Sequence, residues 1–189
     1  MLKNTITSVL LALSMVAVSQ EAAPEAAKEN TDKMEYGAII DVAGATKDQL
    51  FRTARKWFQK NYSKKAVGED VIYTDDSYLG EMAASPNMWV EARIQGKPTN
   101  AGAVNYTIII AAKEGKYKYS LSGFYHESNR SQFGSGGDLN NANPDCGEEE
   151  MSAVTWAEIQ ADCREKTEKI VEELKEIMST AASSTEDDW

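Results

Sequence analysis

The chain has 189 residues, 42% apolar, 26% charged and 8% aromatic, which suits one globular domain rather than a fibrous or disordered chain. Its 20 Lys and Arg against 30 Asp and Glu give a formal net charge of -10, which removes the main attraction for phosphates and argues against a nucleic-acid partner. One histidine, His126, and two cysteines exclude His-rich zinc catalysis and multi-cysteine clusters, and leave a nucleophilic triad a single imidazole base.

The first segment reads as an export signal. Lys3 precedes an apolar run over 6–18, short for a membrane span of about 20 residues, and the small residues Ala17 and Ser19 occupy the positions read by a signal peptidase. The pattern predicts a signal peptide over 1–19, and hence a periplasmic or extracellular protein that is not an integral membrane protein. Residues 20–33 carry no large apolar side chain to offset the entropy of ordering them, so a disordered leader is expected. A single domain over 34–180 and a frayed acidic tail over 181–189 follow.

Tyr36, Ala38, Ile40 and Val42 alternate with polar or small residues, the period of a strand with one buried face. Thr46 and Gln49 form a capping box, and Leu50, Phe51, Ala54, Trp57 and Phe58 recur at helical spacing, predicting a helix over 47–62. After Gly68 the chain reads as antiparallel strands over 71–74, 78–84, 88–95, 104–112 and 116–125. Turns at 75–77, 85–87 and 114–115 and a Pro- and Gly-bearing loop over 97–102 separate them. The period of two commits Met88, Val90, Ala92, Ile94, Val104, Tyr106, Ile108, Ile110, Tyr117, Tyr119, Leu121 and Tyr125 to the core, and sends Trp89, Arg93 and Phe124 to the opposite face. The loop over 127–150, with Gly134, Gly136 and Gly137, is too long for a plain connection and is expected to be mobile or functional. Thr155 and Glu158 make a second capping box, opening a long helix whose stripe is Trp156, Ile159, Cys163, Ile170, Val171, Leu174, Ile177 and Met178.

Chemistry is sparse. In an exported protein Cys146 and Cys163 are expected to join in a disulfide tying loop to helix, stabilising by about 3 kcal/mol through loop closure. His126 with Glu127, Asp138 and Ser128 or Ser131 has the residue types of a hydrolytic triad, but no G-x-S-x-G elbow accompanies them. The acids Asp138, Asp145, Glu148, Glu149 and Glu150 offer hard oxygen ligands for calcium, yet Ala142 stands where an EF-hand needs its third ligand. No cofactor and no metal is expected. An exposed aromatic beside an Arg suits stacking with a small molecule, a glycan or a protein surface. The preferred expectation is therefore a non-catalytic binding or interaction domain using Trp89, Arg93 and Phe124. A hydrolase acting through His126 and a calcium-stabilised surface protein are the alternatives.

Three stretches carry a family resemblance: 45–58 with its Thr46 cap and Trp57-Phe58 pair, 73–82 with Tyr73, Asp75, Asp76 and Tyr78, and 106–119 with the Glu114-Gly115 hairpin. Together they resemble the DUF4468 family of exported bacterial proteins, over roughly residues 36–178. The resemblance implies an α+β fold of the TATA-binding-protein-like (TBP-like), helix-grip kind, in which helices pack on one face of a curved antiparallel sheet. It brings no catalytic residue, since that family's function is undefined. Residues 85–99, including the Trp89 strand, and the acidic Cys-bearing loop depart from the family pattern and imply one strand more.

Overall fold

The computed structural model describes residues 33–62, 71–128 and 131–183. The expected signal peptide, the leader up to residue 32 and the tail beyond Ser183 lie outside the described residues. In chain order the elements are β1 (Tyr36–Asp41), α1 (Lys47–Tyr62), β2 (Ile72–Asp76), β3 (Glu81–Ala84), β4 (Asn87–Ile94), β5 (Lys97–Lys113), β6 (Lys116–Glu127), β7 (Gly137–Asp138), α2 (Ala153–Ser179) and a short 3-10 turn, Ala181–Ser183. The sheet is antiparallel in the order β1-β6-β5-β3-β2, with β4 also on β5 and β7 also on β6.

The α1 cap forms as its sequence predicts: Thr46 N–H donates to Gln49 Oε1 at 2.9 Å, and Gln49 N–H donates back to Thr46 Oγ1 at 3.2 Å. The second cap does not. Ser152 is the N-cap of α2, its hydroxyl accepting from Thr155 N–H at 3.1 Å, so the helix starts earlier than the Thr155 box implies. Leu50, Phe51, Ala54, Trp57 and Phe58 of α1 join Trp156, Ile159, Cys163, Leu174 and Met178 of α2 in one apolar core. Val90, Val104, Ile108, Ile110, Tyr117, Tyr119 and Leu121 close that core from the inner face of the sheet. Both helices therefore cover the same face and leave the other to solvent.

Strand β5 is the spine. The loop expected over 97–102 is instead its first third, because the reversal needs only Gln95 and Gly96, both at positive φ (50° and 78°), the two-residue turn whose twist matches flanking strands. Pro98 is tolerated there because β6 reaches only to the Ala103↔Glu127 pair, leaving that part of β5 with one free edge. Strands β3 and β4 are halves of one strand. Ala84↔Ile108 and Asn87↔Asn105 lie in the same register on β5, and the break between them is Pro86, which has no N–H to give but still accepts Tyr106 N–H at 3.0 Å.

A bulge decides which residues face outward at the end of β6. The pairs Thr107↔Ser122 and Asn105↔Tyr125 put one extra residue into β6, accommodated at Gly123 with φ 69°. Every side chain beyond it changes face. Phe124, expected outside, is buried at 1% exposure and stacks on Tyr106 with centroids 5.5 Å apart; Tyr125, expected in the core, is 47% exposed. His126 turns inward with Phe124 and is fully buried.

Candidate functional site

Three surfaces bear the candidate residues: the outer sheet face, the edge of β4 and the His126 end of the sheet. On the outer face the register sets Trp89 opposite Ala103, which in turn faces Glu127, with Tyr125 one pair further along. Trp89 is 55% exposed, and Arg93 is exposed four residues further along β4. These two stand where the period of two predicts, whereas Phe124 does not join them and Tyr125 takes its place. Ile39 on β1 and Ile109 on β5 extend the apolar part of this face, Ile39 being exposed and Ile109 half-buried.

The free edge of β4 is occupied by α2 side chains. Arg93 N–H donates to Glu158 Oε2 at 2.7 Å, Glu91 N–H to Asp162 Oδ2 at 2.9 Å, and Lys166 Nζ donates to the Trp89 carbonyl at 2.9 Å. Lys166 also pairs with Asp162 at 2.7 Å. An edge strand presents unpaired N–H and C=O groups that invite another strand, and these three side chains satisfy them as a neighbouring strand would. Beside them lies a groove of about 270 Å³ lined by Glu91, Arg93, Pro98, Glu158, Asp162 and Glu165. Two of its four carboxylates are thus spent on backbone N–H groups.

His126 is a structural clamp. Its Nε2 lies 2.7 Å from the Ala101 carbonyl, and Gly136 N–H donates to its Nδ1 at 2.9 Å, which fixes the neutral tautomer with the proton on Nε2. Burial pushes its pKa below the ordinary 6.5, against the opposing pull of the Ala101 bond and of Glu127. Ala101 is the extra residue of a second bulge, between Val90↔Gly102 and Glu91↔Asn100, where a side chain on Gly102 would run into the Glu127 carbonyl and the imidazole. With both nitrogens held by backbone, His126 offers no free base. Other triad candidates are engaged locally: Asp138 Oδ1 accepts from Asn140 N–H at 2.8 Å, and the Ser131 hydroxyl donates to the Phe133 carbonyl at 3.4 Å and accepts from Phe133 N–H at 3.2 Å.

The loop expected to be mobile or functional is pinned to the helix side. Trp156 Nε1 donates to the Asn141 carbonyl at 2.9 Å, Gln160 Nε2 donates to the Leu139 carbonyl at 2.8 Å, and Leu139 and Met151 are buried. Among the described residues no group of three His, Cys, Asp or Glu converges on a metal position. In the structure both cysteines stand as free thiols, without the bond expected between them. Cys163 is buried on the core side of α2 with its Sγ 3.8 Å from Met88 Sδ, its pKa pushed up to about 12 by desolvation, while Cys146 packs against Gly134 in the loop. Cys163 lies on the buried stripe of α2 as its spacing predicts, two turns beyond the Trp156 that packs against the loop. A further polar contact absent from the sequence pattern is the Tyr62 and Tyr106 hydroxyl pair at 3.4 Å; burial lifts the Tyr106 pKa to about 12. No sequence signal pointed to it, because it joins α1 to β5 across the core.

Among the described residues no helix is long and apolar enough to cross a membrane. No curated protein matches the chain. The chain is similar in structure to a DUF4468 family protein from Bacteroides ovatus, at 16% identity and TM-score 0.53, over 85% of this chain and 92% of that one. It is also similar to a TBP-like protein from Parabacteroides distasonis, at 15% identity and TM-score 0.51, over 84% and 97%. Identities this low speak to fold alone. Residues 36–127, from β1 through β6, match the model of the DUF4468 family, a domain of unknown function with TBP-like fold.

Proposed function

We propose that this is a non-catalytic interaction domain, exported from the cell, whose partner binds the outer sheet face with Trp89 and Tyr125 as apolar contacts and Arg93 at the rim. The observation that carries the reading is the exposure of Trp89 and Tyr125 on the one face that neither helix covers. Rigid aromatics give large contact area at little conformational-entropy cost, and with Arg they dominate the energetics of binding surfaces. Export rests on the apolar run and small residues of 1–19. The hydrolase alternative loses support because both nitrogens of the sole imidazole are engaged by backbone groups.

The test is a photo-crosslinking amino acid placed at position 89, at 125 and, as a control, at the exposed Glu168 of α2, in cells that produce the protein. The expected result is one species, identified by mass, joined from 89 and 125 but not from 168. Equal labelling from all three positions, or none from any, overturns the reading.

A further inference from the structure

We propose that the occupant of the outer face is a second copy of this chain, packed sheet to sheet about a twofold axis that runs along β5; the inference rests on the interaction reading above and names its partner. The sheet register supplies the geometry. One row across the outer face reads Ile39, Lys118, Ala111, Glu81 and Asp76, and the next reads Gly37, Ser120, Ile109, Ala83 and Thr74. A twofold axis along β5 leaves that strand opposite itself and exchanges β6 with β3. Lys118 of each copy then meets Glu81 of the other, so one pair of opposite charges is made twice. Ile109 and Ala111 meet their own counterparts on the axis, and Ser120 lies over Ala83. With only small side chains flanking Ile109, two sheets can approach to the usual spacing of about 10 Å. Trp89, on β4, is carried over the end of β6 beside Tyr125, which covers both aromatics.

Two further observations favour a like surface as the occupant. Although the chain carries a net charge of -10, this part of the face is balanced, with Asp41, Asp76 and Glu81 against Lys113, Lys116 and Lys118, so two copies meet without the repulsion the rest of the surface would impose. Among the described residues neither Lys118 nor Glu81 has an ion-pair partner in its own chain, in contrast to Arg55 with Asp75 and Lys60 with Glu173. The face also has the right size. Five strands at about 4.8 Å spacing and up to about 34 Å of β5 present roughly 700 Å² per copy, within the range of a standard specific interface.

Sedimentation of the purified chain across micromolar to sub-millimolar concentration tests this. The expected result is a reversible dimer, weakened about tenfold by Lys118→Glu and likewise by Glu81→Lys, and restored when the two changes are combined. Glu168→Lys, the same change of charge on the far side of α2, leaves association as in the wild type. Circular dichroism confirms that each variant is folded. A chain that stays monomeric throughout, or a double swap that fails to restore the dimer, overturns the proposal. If the chain is monomeric while positions 89 and 125 still crosslink to another species, self-association falls and the interaction reading stands; if crosslinking fails as well, both fall.

Discussion

Lowering the pH from 7 to 5 titrates the one imidazole of the chain, and His126 makes that titration a direct measure of how its loop is held. In the folded protein Nδ1 accepts Gly136 N–H; protonation there would set two N–H groups against each other inside a site with no exposure to water. The folded pKa is therefore depressed below the unfolded 6.5, with burial as the leading cause. The unfolded chain then binds a proton that the folded chain refuses. Stability contributed by neutral His126 is fully present above pH 6.5 and is lost as pH falls below it, at up to about 1.4 kcal/mol per pH unit for as long as the folded group stays neutral. Down to pH 5 the loss is at most about 2 kcal/mol, or roughly 4–8 °C in Tm for a domain of this size. Carboxylates titrate mostly below that window, so thermal denaturation between pH 5 and 7 isolates the effect. His126→Gln is the control: its amide can accept from Gly136 and donate to Ala101 without titrating, so its Tm is expected to be flat over the same range. An equal slope in wild type and His126→Gln would refute the clamp.

The bulge at Gly123 predicts opposite costs for adjacent residues: Phe124→Ala is expected to destabilise by about 3–5 kcal/mol, and Tyr125→Ala by under about 0.5 kcal/mol, in denaturant titrations. Comparable losses would mean that the register is wrong. Thiol titration of native protein prepared without reductant is expected to find Cys146 reactive and Cys163 silent until denaturant is added, since burial keeps the Cys163 thiol protonated; no thiol under either condition would indicate the disulfide. Asp162→Ala removes the acceptor of Glu91 N–H and the partner of Lys166, and is expected to cost about 1–3 kcal/mol and to raise aggregation on heating through the opened β4 edge. Unchanged stability and light scattering would show that the edge is protected by other means.

Much of the architecture is local and so was legible in the residues themselves. Helix α1 follows from the Thr46–Gln49 box and a five-residue apolar stripe, interactions made within a few turns, and its bounds agree with those read from the periodicity. The core faces of β4, β5 and the first part of β6 follow from the period of two, which holds while the ladder stays in register. On β6 it fails at one residue. Nothing in the run Ser122-Gly123-Phe124-Tyr125 says that β6 must hold one residue more than β5, because the bulge is settled by pairing with Thr107 and Asn105, which lie far away in sequence. That single shift moved Phe124 into the core and Tyr125 onto the surface, changing the candidate site while leaving the fold class untouched. The extent of β5 was hidden for a similar reason: Pro98 and Gly102 read as a loop until β4 supplies a partner and β6 withholds one. The roles of His126 and Cys163 were tertiary from the start. Each meets partners that chain folding alone brings close, Ala101 and Gly136 for the imidazole and Met88 for the thiol, so the sequence determined which residues were available for chemistry and the packing decided that these two would hold structure together instead.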